Sequence, residues 1–501
     1  MPDSQRALRW GAALVLLGCL ALLLVKTFAW PLISDAVLMH YVVLLMQHGM
    51  RPYRDIVDVN MPGSYVADMA VTRTFGTSAG GLRLFDYTLT AIAGIAMLDI
   101  LRTRSLFAGL LGAALFAILH FGDGVAQAGQ RDYVIAVLLV TGFALLVRGV
   151  RSGAVWPFFI FGLCCGASAT IKPPTVAFVV LLAAAPSSGS TWLRRLGAGL
   201  VGVLMPLVAA CAWLLHLHSF GAFVDLTRGL VVYHAGMARH SLGFLLTHAI
   251  PSQLLPLAVL SLAVMGGTQG WRRFEQKLAL LAIACGFLSF CVQGKAYPYH
   301  RYPLIAFFWL FVAMQVAESL CRSRRGYLEP ALGWTMVAYS VLWLAPASTA
   351  KALRSDCRYQ PALVQLQADL TAAAPRGGLE GQVQCMDTMA GCITVLDRMQ
   401  LVQSTGFLYD CYFFAPGSSP VKQTMQQRFL AQIRRAPPEI FVVTDQWCLN
   451  LPSGYQKLDQ WPEFASYLAA HYTLTQQRAW TGWNPRITAT YPFGYRLYTR
   501  H

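Results

Sequence analysis

A polytopic α-helical membrane protein of about eleven transmembrane helices, followed by a C-terminal extracytoplasmic α/β domain, is the fold class this sequence predicts. Three observations carry it. Only 12% of the 501 residues are charged and 56% are hydrophobic, against roughly 25% charged in a soluble globular protein; the mean hydropathy is +0.49. Apolar runs approaching the ~18–20 residues that cross a bilayer recur along the first two thirds of the chain. Beyond about Ser348 the texture changes, and Asp, Arg, Gln and Pro appear freely.

The first run, Trp10 to Pro31, is interrupted only by Lys26. No small-residue cleavage site follows it, so it reads as a retained helix rather than a removed signal peptide. The remaining spans are expected at roughly 80–101, 105–121, 133–149, 155–171, 174–187, 196–216, 242–267, 277–293, 302–320 and 331–347. Lys172-Pro173-Pro174 breaks the chain ahead of the short 174–187 run, and a broken helix survives at membrane depth only where it packs on protein or lines a cavity. Residues 34–79 form a long first outer loop.

The net charge is +16, which in a soluble protein points to nucleic acid. Here the basic residues gather in short loops at every second turn: Arg6 and Arg9; Arg102 and Arg104; Arg148 and Arg151; Arg194 and Arg195; Arg272, Arg273 and Lys277; Arg322, Arg324 and Arg325. That is the positive-inside pattern. It predicts a cytoplasmic N-terminus, a C-terminal region on the opposite face, the lipid bilayer as partner and no nucleic acid. The chain divides into a membrane module, 1–349, and an extracytoplasmic domain, 350–501.

Within that second part, Pro437-Pro438-Glu439 precedes the β-branched run Ile440 to Val443, which reads as a buried strand after a helix over Lys422–Arg435. Tyr495 to Tyr498 reads as a terminal strand. Of 12 cysteines, five fall here (Cys357, Cys385, Cys392, Cys411 and Cys448), enough for two disulfides with one left over in an oxidising compartment. The other seven lie in or beside apolar spans and behave as small hydrophobes.

The residues with most chemistry follow the first span. Asp35 sits where that span meets the outer interface, and residues 36–47 are apolar enough to lie along the membrane surface as a helix ended by Gly49 and Pro52. Then come His48-Gly49-Met50-Arg51-Pro52-Tyr53-Arg54-Asp55 and Asn60-Met61-Pro62-Gly63-Ser64-Tyr65. A carboxylate against a low-dielectric wall is costly without a partner or a task. Further along, Gln130-Arg131-Asp132-Tyr133 opens the fourth span, Ala169-Thr170-Ile171-Lys172-Pro173-Pro174 closes the fifth, and Tyr297-Pro298-Tyr299-His300-Arg301-Tyr302-Pro303 opens the tenth.

In this order, over most of the chain, these segments resemble the GT-C superfamily of integral membrane glycosyltransferases, in its dolichyl-phosphate-mannose protein mannosyltransferase and aminoarabinose transferase branch. The resemblance implies a GT-C-like membrane module and transfer of a sugar from a polyprenyl-phosphate donor on the non-cytoplasmic face; the general texture of the chain and the lack of an obvious organelle signal favour a bacterial inner membrane as the setting. It implies Asp35 as the catalytic base, since attack at an anomeric carbon needs a proton acceptor for the incoming hydroxyl. Asp132 is a second catalytic carboxylate candidate. Arg131, Lys172, His300 and Arg301, with Tyr53 and Tyr299, are candidates for binding the substrate. A lipid-phosphate leaving group needs cations, Arg as a planar fork and Lys as a point charge. Where the protein mannosyltransferases place Glu after the first Asp, this chain has Ala36; that argues against protein O-mannosylation and leaves glycan, lipid and protein acceptors open. No cofactor is expected. No Cys/His zinc spacing or other strong metal motif occurs, so no obligatory divalent metal is expected.

Each residue also has a plainer reading. Asp35 serves as an interfacial anchor or cap, Arg131 and Asp132 pair with each other, and Lys172 snorkels to the interface. His300 and Arg301 join an aromatic belt, and Asp55 and Asp58 act as turn and capping residues. His216, His218, His234 and His240 surround one outer loop without ligand spacing, so no metal role is expected. Gly197-Ala198-Gly199-Leu200-Val201-Gly202 matches GxGxxG but lies inside an apolar span with no strand before it, which excludes dinucleotide binding. A transporter or lipid-sugar flippase is the alternative, though such proteins place polar residues at the midplane and often show repeated halves. A non-catalytic scaffold is a third reading.

Overall fold

The computed structural model describes residues 3–33, 35–187, 189–268, 270–321, 327–354, 360–387, 391–446, 454–479 and 494–501. Its first helices are α1 (Asp3–Phe28), α2 (Asp35–Gln47), α3 (Pro62–Phe75), α4 (Ala79–Leu101), α5 (Leu106–Gly122), α6 (Arg131–Ser152) and α7 (Trp156–Ile171). Among the described residues six helices are long and apolar enough to cross a membrane: α1, α4, α6, Gly189–His216, Phe274–Gln293 and Pro298–Cys321. The bent pair Leu242–His248 and Ser252–Gly267 brings the number to seven. The other expected spans fall on shorter apolar helices: α5, α7 and Pro173–Ala184. At 1.5 Å per residue, α7 is about 24 Å long, below the ~30 Å hydrocarbon core. The last, 331–347, falls within a continuous run from Leu328 to Arg354 that contains π-helical turns at Tyr339–Leu344.

Every residue from Tyr302 to Leu320 is buried, so this span is the central post of the bundle rather than a lipid-facing helix. At one end of the bundle, arginines at or beside three helix ends meet on two buried carboxylates. Arg104 and Arg151 pair with Glu275 at 3.1 Å each, while Arg104 and Arg273 pair with Glu318 at 3.1 and 3.0 Å. These helix ends therefore lie at one end of the bundle. The GxGxxG look-alike packs helix to helix instead of holding a nucleotide. A Cβ on Gly162 of α7 would strike the Gly199 carbonyl, and one on Gly202 would strike the Phe159 carbonyl. Small residues let helix backbones approach this closely in a membrane.

The first outer loop differs from expectation. The helix forms over Asp35–Gln47, but residues 36–45 are all buried, so α2 is enclosed by protein rather than spread on a lipid surface. It is apolar on every side, and a helix apolar all round is a buried one. It packs on α3 and on the C-terminal helix Gly391–Met399. The Tyr41 hydroxyl donates to the Leu401 carbonyl (3.0 Å) and accepts from the Gln403 amide (2.8 Å). His40 Nδ1 lies 2.9 Å from Asp68, both buried, and Asp397 of the C-terminal helix is close enough to feel both charges. Val57 N donates to the Gly406 carbonyl at 2.8 Å, where a side chain on Gly406 would strike the Asp55 carbonyl.

The C-terminal region carries four strands, β1 (Val383–Met386), β2 (Ile440–Thr444), β3 (Tyr472–Arg478) and β4 (Tyr495–Arg500), in the order β1-β2-β4-β3. The β1–β2 pair is parallel and the other two pairs are antiparallel. The strand expected at 440–443 is β2, an interior strand between β1 and β4 and buried at every residue; the helix Pro420–Arg435 precedes it. Cys385 and Cys392 form a disulfide and Cys411 is disulfide-bonded; Cys357 and Cys448 lie outside the described residues.

Candidate active site

At the end of the bundle opposite the arginine–glutamate cluster, four chain segments converge. Asp35 opens α2, and its Oδ2 lies 3.3 Å from Arg131 Nη2 at the start of α6. Its side chain is 25% exposed, and among the described residues Oδ1 has no hydrogen-bond partner. Arg131 also donates through Nη1 to Asn60 Oδ1. Arg131 and Asp132 do not pair with each other. Adjacent residues at a helix start point in different directions, and Asp132, buried, takes Lys172 instead at 2.7 Å.

Lys172 follows α7, where its backbone turns extended before Pro173. Pro cannot sit after a helical residue without a clash, so the Lys172-Pro173-Pro174 sequence itself ends α7 there. The ammonium donates to Gln293 Oε1 (2.9 Å) and lies 5.2 Å from the Tyr299 ring centre.

The loop between α2 and α3 is held from within. Asp58 is buried and accepts from Val59 N (2.8 Å), Asn60 Nδ2 (2.8 and 3.0 Å) and the Tyr65 hydroxyl (2.8 Å). Burial pushes its carboxyl pKa up, and those donors with Arg131 offset part of the rise. Tyr53 is buried, with its ring against Tyr65 and Phe223 and its hydroxyl given to the Asn60 carbonyl at 2.7 Å. Asp55 caps the turn by accepting from Arg51 N at 2.8 Å. This loop orients Asn60, and Asn60 meets Arg131.

The segment after Phe274–Gln293 brings Tyr299 and His300. His300 is buried within electrostatic reach of Lys172, Arg131, Arg301 and Lys295. Arg301 faces the Phe290 ring (5.9 Å to the centre) and lies within reach of Asp123. Lys295 and His234, which the sequence reading did not place in a site, belong to this cluster. Gly294 (φ 72) and Ala296 (φ 53) both adopt left-handed backbone, turning the chain on either side of Lys295. The Gly294 carbonyl accepts from His240 N at 2.9 Å, tying the segment before Leu242 to the one after Gln293. Lys295 Nζ lies 2.6 Å from His234 Nε2.

Burial lowers the Lys295 pKa to about 8, with repulsion from Lys172 adding to the effect and Asp35 opposing it. Burial, Lys295 and Arg131 drive His234 down to about 3, so the imidazole is neutral and accepts from the Lys295 ammonium. From the C-terminal region, Tyr409 reaches the charges of Asp35, Asp58 and Arg131, and the Tyr412 ring meets His234 edge-on at 6.0 Å. Among the described residues, no group of three or more His, Cys, Asp or Glu could hold a metal ion. The arrangement presents one carboxylate oxygen free to accept a proton beside several cations that can meet an anion.

No family model matches the sequence, and neither does any curated protein. Solved structures do. The chain superimposes on ArnT from Cupriavidus metallidurans bound to undecaprenyl phosphate with a TM-score of 0.61, covering 99% of this chain and 98% of that one at 12% identity. The apo form of ArnT gives 0.60, covering 98% of each chain, also at 12% identity. This chain has the GT-C fold. An oligosaccharyltransferase from Archaeoglobus fulgidus, tethered with an acceptor peptide containing the NVT sequon, shares it with a TM-score of 0.50 at 11% identity, over 97% of this chain and 74% of that one. The likeness of fold to ArnT covers nearly the whole of both chains.

Proposed function

We propose that this protein is an integral membrane glycosyltransferase that moves a hexosyl or pentosyl group from a polyprenyl-phosphate donor to an acceptor on the extracytoplasmic face. The observation that carries the reading is Asp35, one carboxylate oxygen open, at the edge of a cluster of cations on a fold shared with a protein solved with undecaprenyl phosphate bound. Asp35 takes the proton of the acceptor hydroxyl as its oxygen bonds to the anomeric carbon. The bond from that carbon to the phosphate oxygen breaks, and the lipid phosphate leaves with the electron pair. Arg131 orients Asp35 and, with Lys172, presents donors to the departing phosphate; Asp132 fixes Lys172 and Tyr53 fixes the loop that carries Asn60. Tyr299, His300 and Arg301 form the wall on the donor's side.

The test is sugar transfer in proteoliposomes, with polyprenyl-phosphate sugars as donors and envelope glycans and lipids as acceptors. The Asp35→Asn variant should fold and lose transfer; full turnover by that variant would remove Asp35 as the base. A transporter or flippase reading is disfavoured because the ionisable residues gather at a bundle end. In this proposal residues 1–349 are the catalytic module and 350–501 an extracytoplasmic α/β domain, in a bacterial inner membrane with a cytoplasmic N-terminus. Impermeant thiol labelling of single-cysteine variants at residues 380 and 104 tests that topology. Reaction of the second and not the first would reverse it.

A further inference from the structure

The cations of the site are not equivalent. Arg131 is matched by Asp35 and Lys172 by Asp132, so each already sits beside a carboxylate and brings little net charge to an incoming anion. Lys295 differs. It is 7% exposed, and among the described residues no carboxylate lies within ion-pair range of it. Its nearest polar partner is the neutral nitrogen of His234. A buried ammonium without a counter-charge is costly unless a ligand supplies one.

A second observation points the same way. If His234 accepts through Nε2, its proton sits on Nδ1, and that buried atom has no partner. The His300 Nδ1, Arg131 Nε and Tyr412 hydroxyl are likewise buried without partners among the described residues. Polar atoms left in this state mark a place where a ligand or water completes the hydrogen bonds. All four belong to side chains around Lys295: His300 feels its charge, Arg131 feels His234, and Tyr412 packs on the His234 ring.

We infer that Lys295, held in place by His234, is the cation that takes the charge of the phosphoryl group in this site. The assignment rests on the proposed donor class and makes His234 a positioning residue. It also fixes a pH response. The groups facing Lys295 are His234 from the loop before it, Lys172 after α7, Asp35 at the start of α2, and His300 on its own segment. With its pKa at about 8, Lys295 is charged at neutral pH and loses that charge as pH rises further. A phosphomonoester stays doubly ionised across the same range, so affinity for it should fall.

The test measures binding of undecaprenyl phosphate, inorganic phosphate and undecaprenol to the purified full-length protein in detergent, at about pH 7 and pH 9.5. Loss of one charge-assisted contact predicts that Lys295→Met weakens undecaprenyl phosphate binding ~10–100-fold at neutral pH. Lys295→Arg should bind, and should keep binding at the higher pH where the wild type weakens. His234→Ala should lose affinity, and His234→Gln, which retains an acceptor, should recover it; a merely structural role would not be rescued this way. Undecaprenol should bind without regard to residue 295. Wild-type binding that survives Lys295→Met unchanged, in a variant with unaltered thermal stability, overturns the assignment and leaves the donor class standing. Lys295-dependent capture of inorganic phosphate as tight as that of the lipid keeps the anion site and removes the lipid donor. No binding of either phosphate by the wild type removes both.

Discussion

Asp397 offers a direct measure of how the C-terminal region is joined to the membrane module. It lies on the helix that packs against α2, with 6% of its surface exposed. Burial pushes its carboxyl from 3.8 to about 6; Asp68 adds to the rise, while His40 and Arg398 oppose it. The His40 ring is itself disfavoured as a cation by burial but held above its ordinary range by Asp68 and Asp397. A raised carboxyl means the folded state binds a proton more tightly than the unfolded chain. Its stabilising contribution is therefore fully present below about pH 4 and lost as pH rises through about 6. The distance between the two values corresponds to about 3 kcal/mol. Asp397→Asn mimics the protonated side chain, so it should stabilise the junction by about that amount at pH 8 and by almost nothing at pH 4. The assay is thermal unfolding together with limited proteolysis of the C-terminal region across that pH range. Equal gains at both ends, or a loss at pH 8, would refute the idea that a buried negative charge is carried at this joint.

Other outcomes are expected. Asp35→Asn should lower sugar transfer by about 10²–10⁴-fold, read in proteoliposomes with the melting temperature unchanged. Lys172→Met strands the buried Asp132 carboxylate and should cost about 3–5 kcal/mol; adding Asp132→Asn should recover most of that loss in thermal unfolding. Replacing Cys385 and Cys392 with Ser opens a loop closed across a separation of 7 residues, which should cost about 2.5 kcal/mol, seen as reduced protease resistance of the C-terminal sheet. Gly406→Val forces a side chain onto the Asp55 carbonyl and should cost about 1–3 kcal/mol, with increased hydrogen exchange in both segments.

The sequence made the linear features legible and left the meeting points hidden. The helix after Asp35 was readable from its apolar run and the Gly49 and Pro52 that end it, and α2 ends at Gln47. Its surroundings were not readable, because hydropathy measures the wish to leave water and does not separate lipid from protein as the destination. That is why the surface helix turned out to be enclosed. The same limit affects the span count, since apolar runs such as α5 and α7 form helices of 17 and 16 residues. Asp35, Arg131, Asp132 and Lys172 each stood out as ionisable groups beside apolar runs. Their pairing did not: Asp35 and Arg131 are 96 residues apart, and no local rule favours that partner over Asp132. Lys295 drew no reading at all, and His234 was weighed only as a metal ligand. One signal was available, because a lone Lys directly after a long apolar helix, at an end where the positive-inside bias predicts few cations, asks for an explanation.

The seam between α7 and Gly189–His216 sets a limit on how a long isoprenoid could lie in the protein. Gly162 and Gly166 bring α7 so near the Gly199 and Val203 carbonyls that not even a methyl group fits between them. A hydrocarbon tail whose phosphate met Lys295, as proposed above, would therefore leave toward the bilayer by some other gap. Where these glycines meet, the two helices form one wall closed to such a tail.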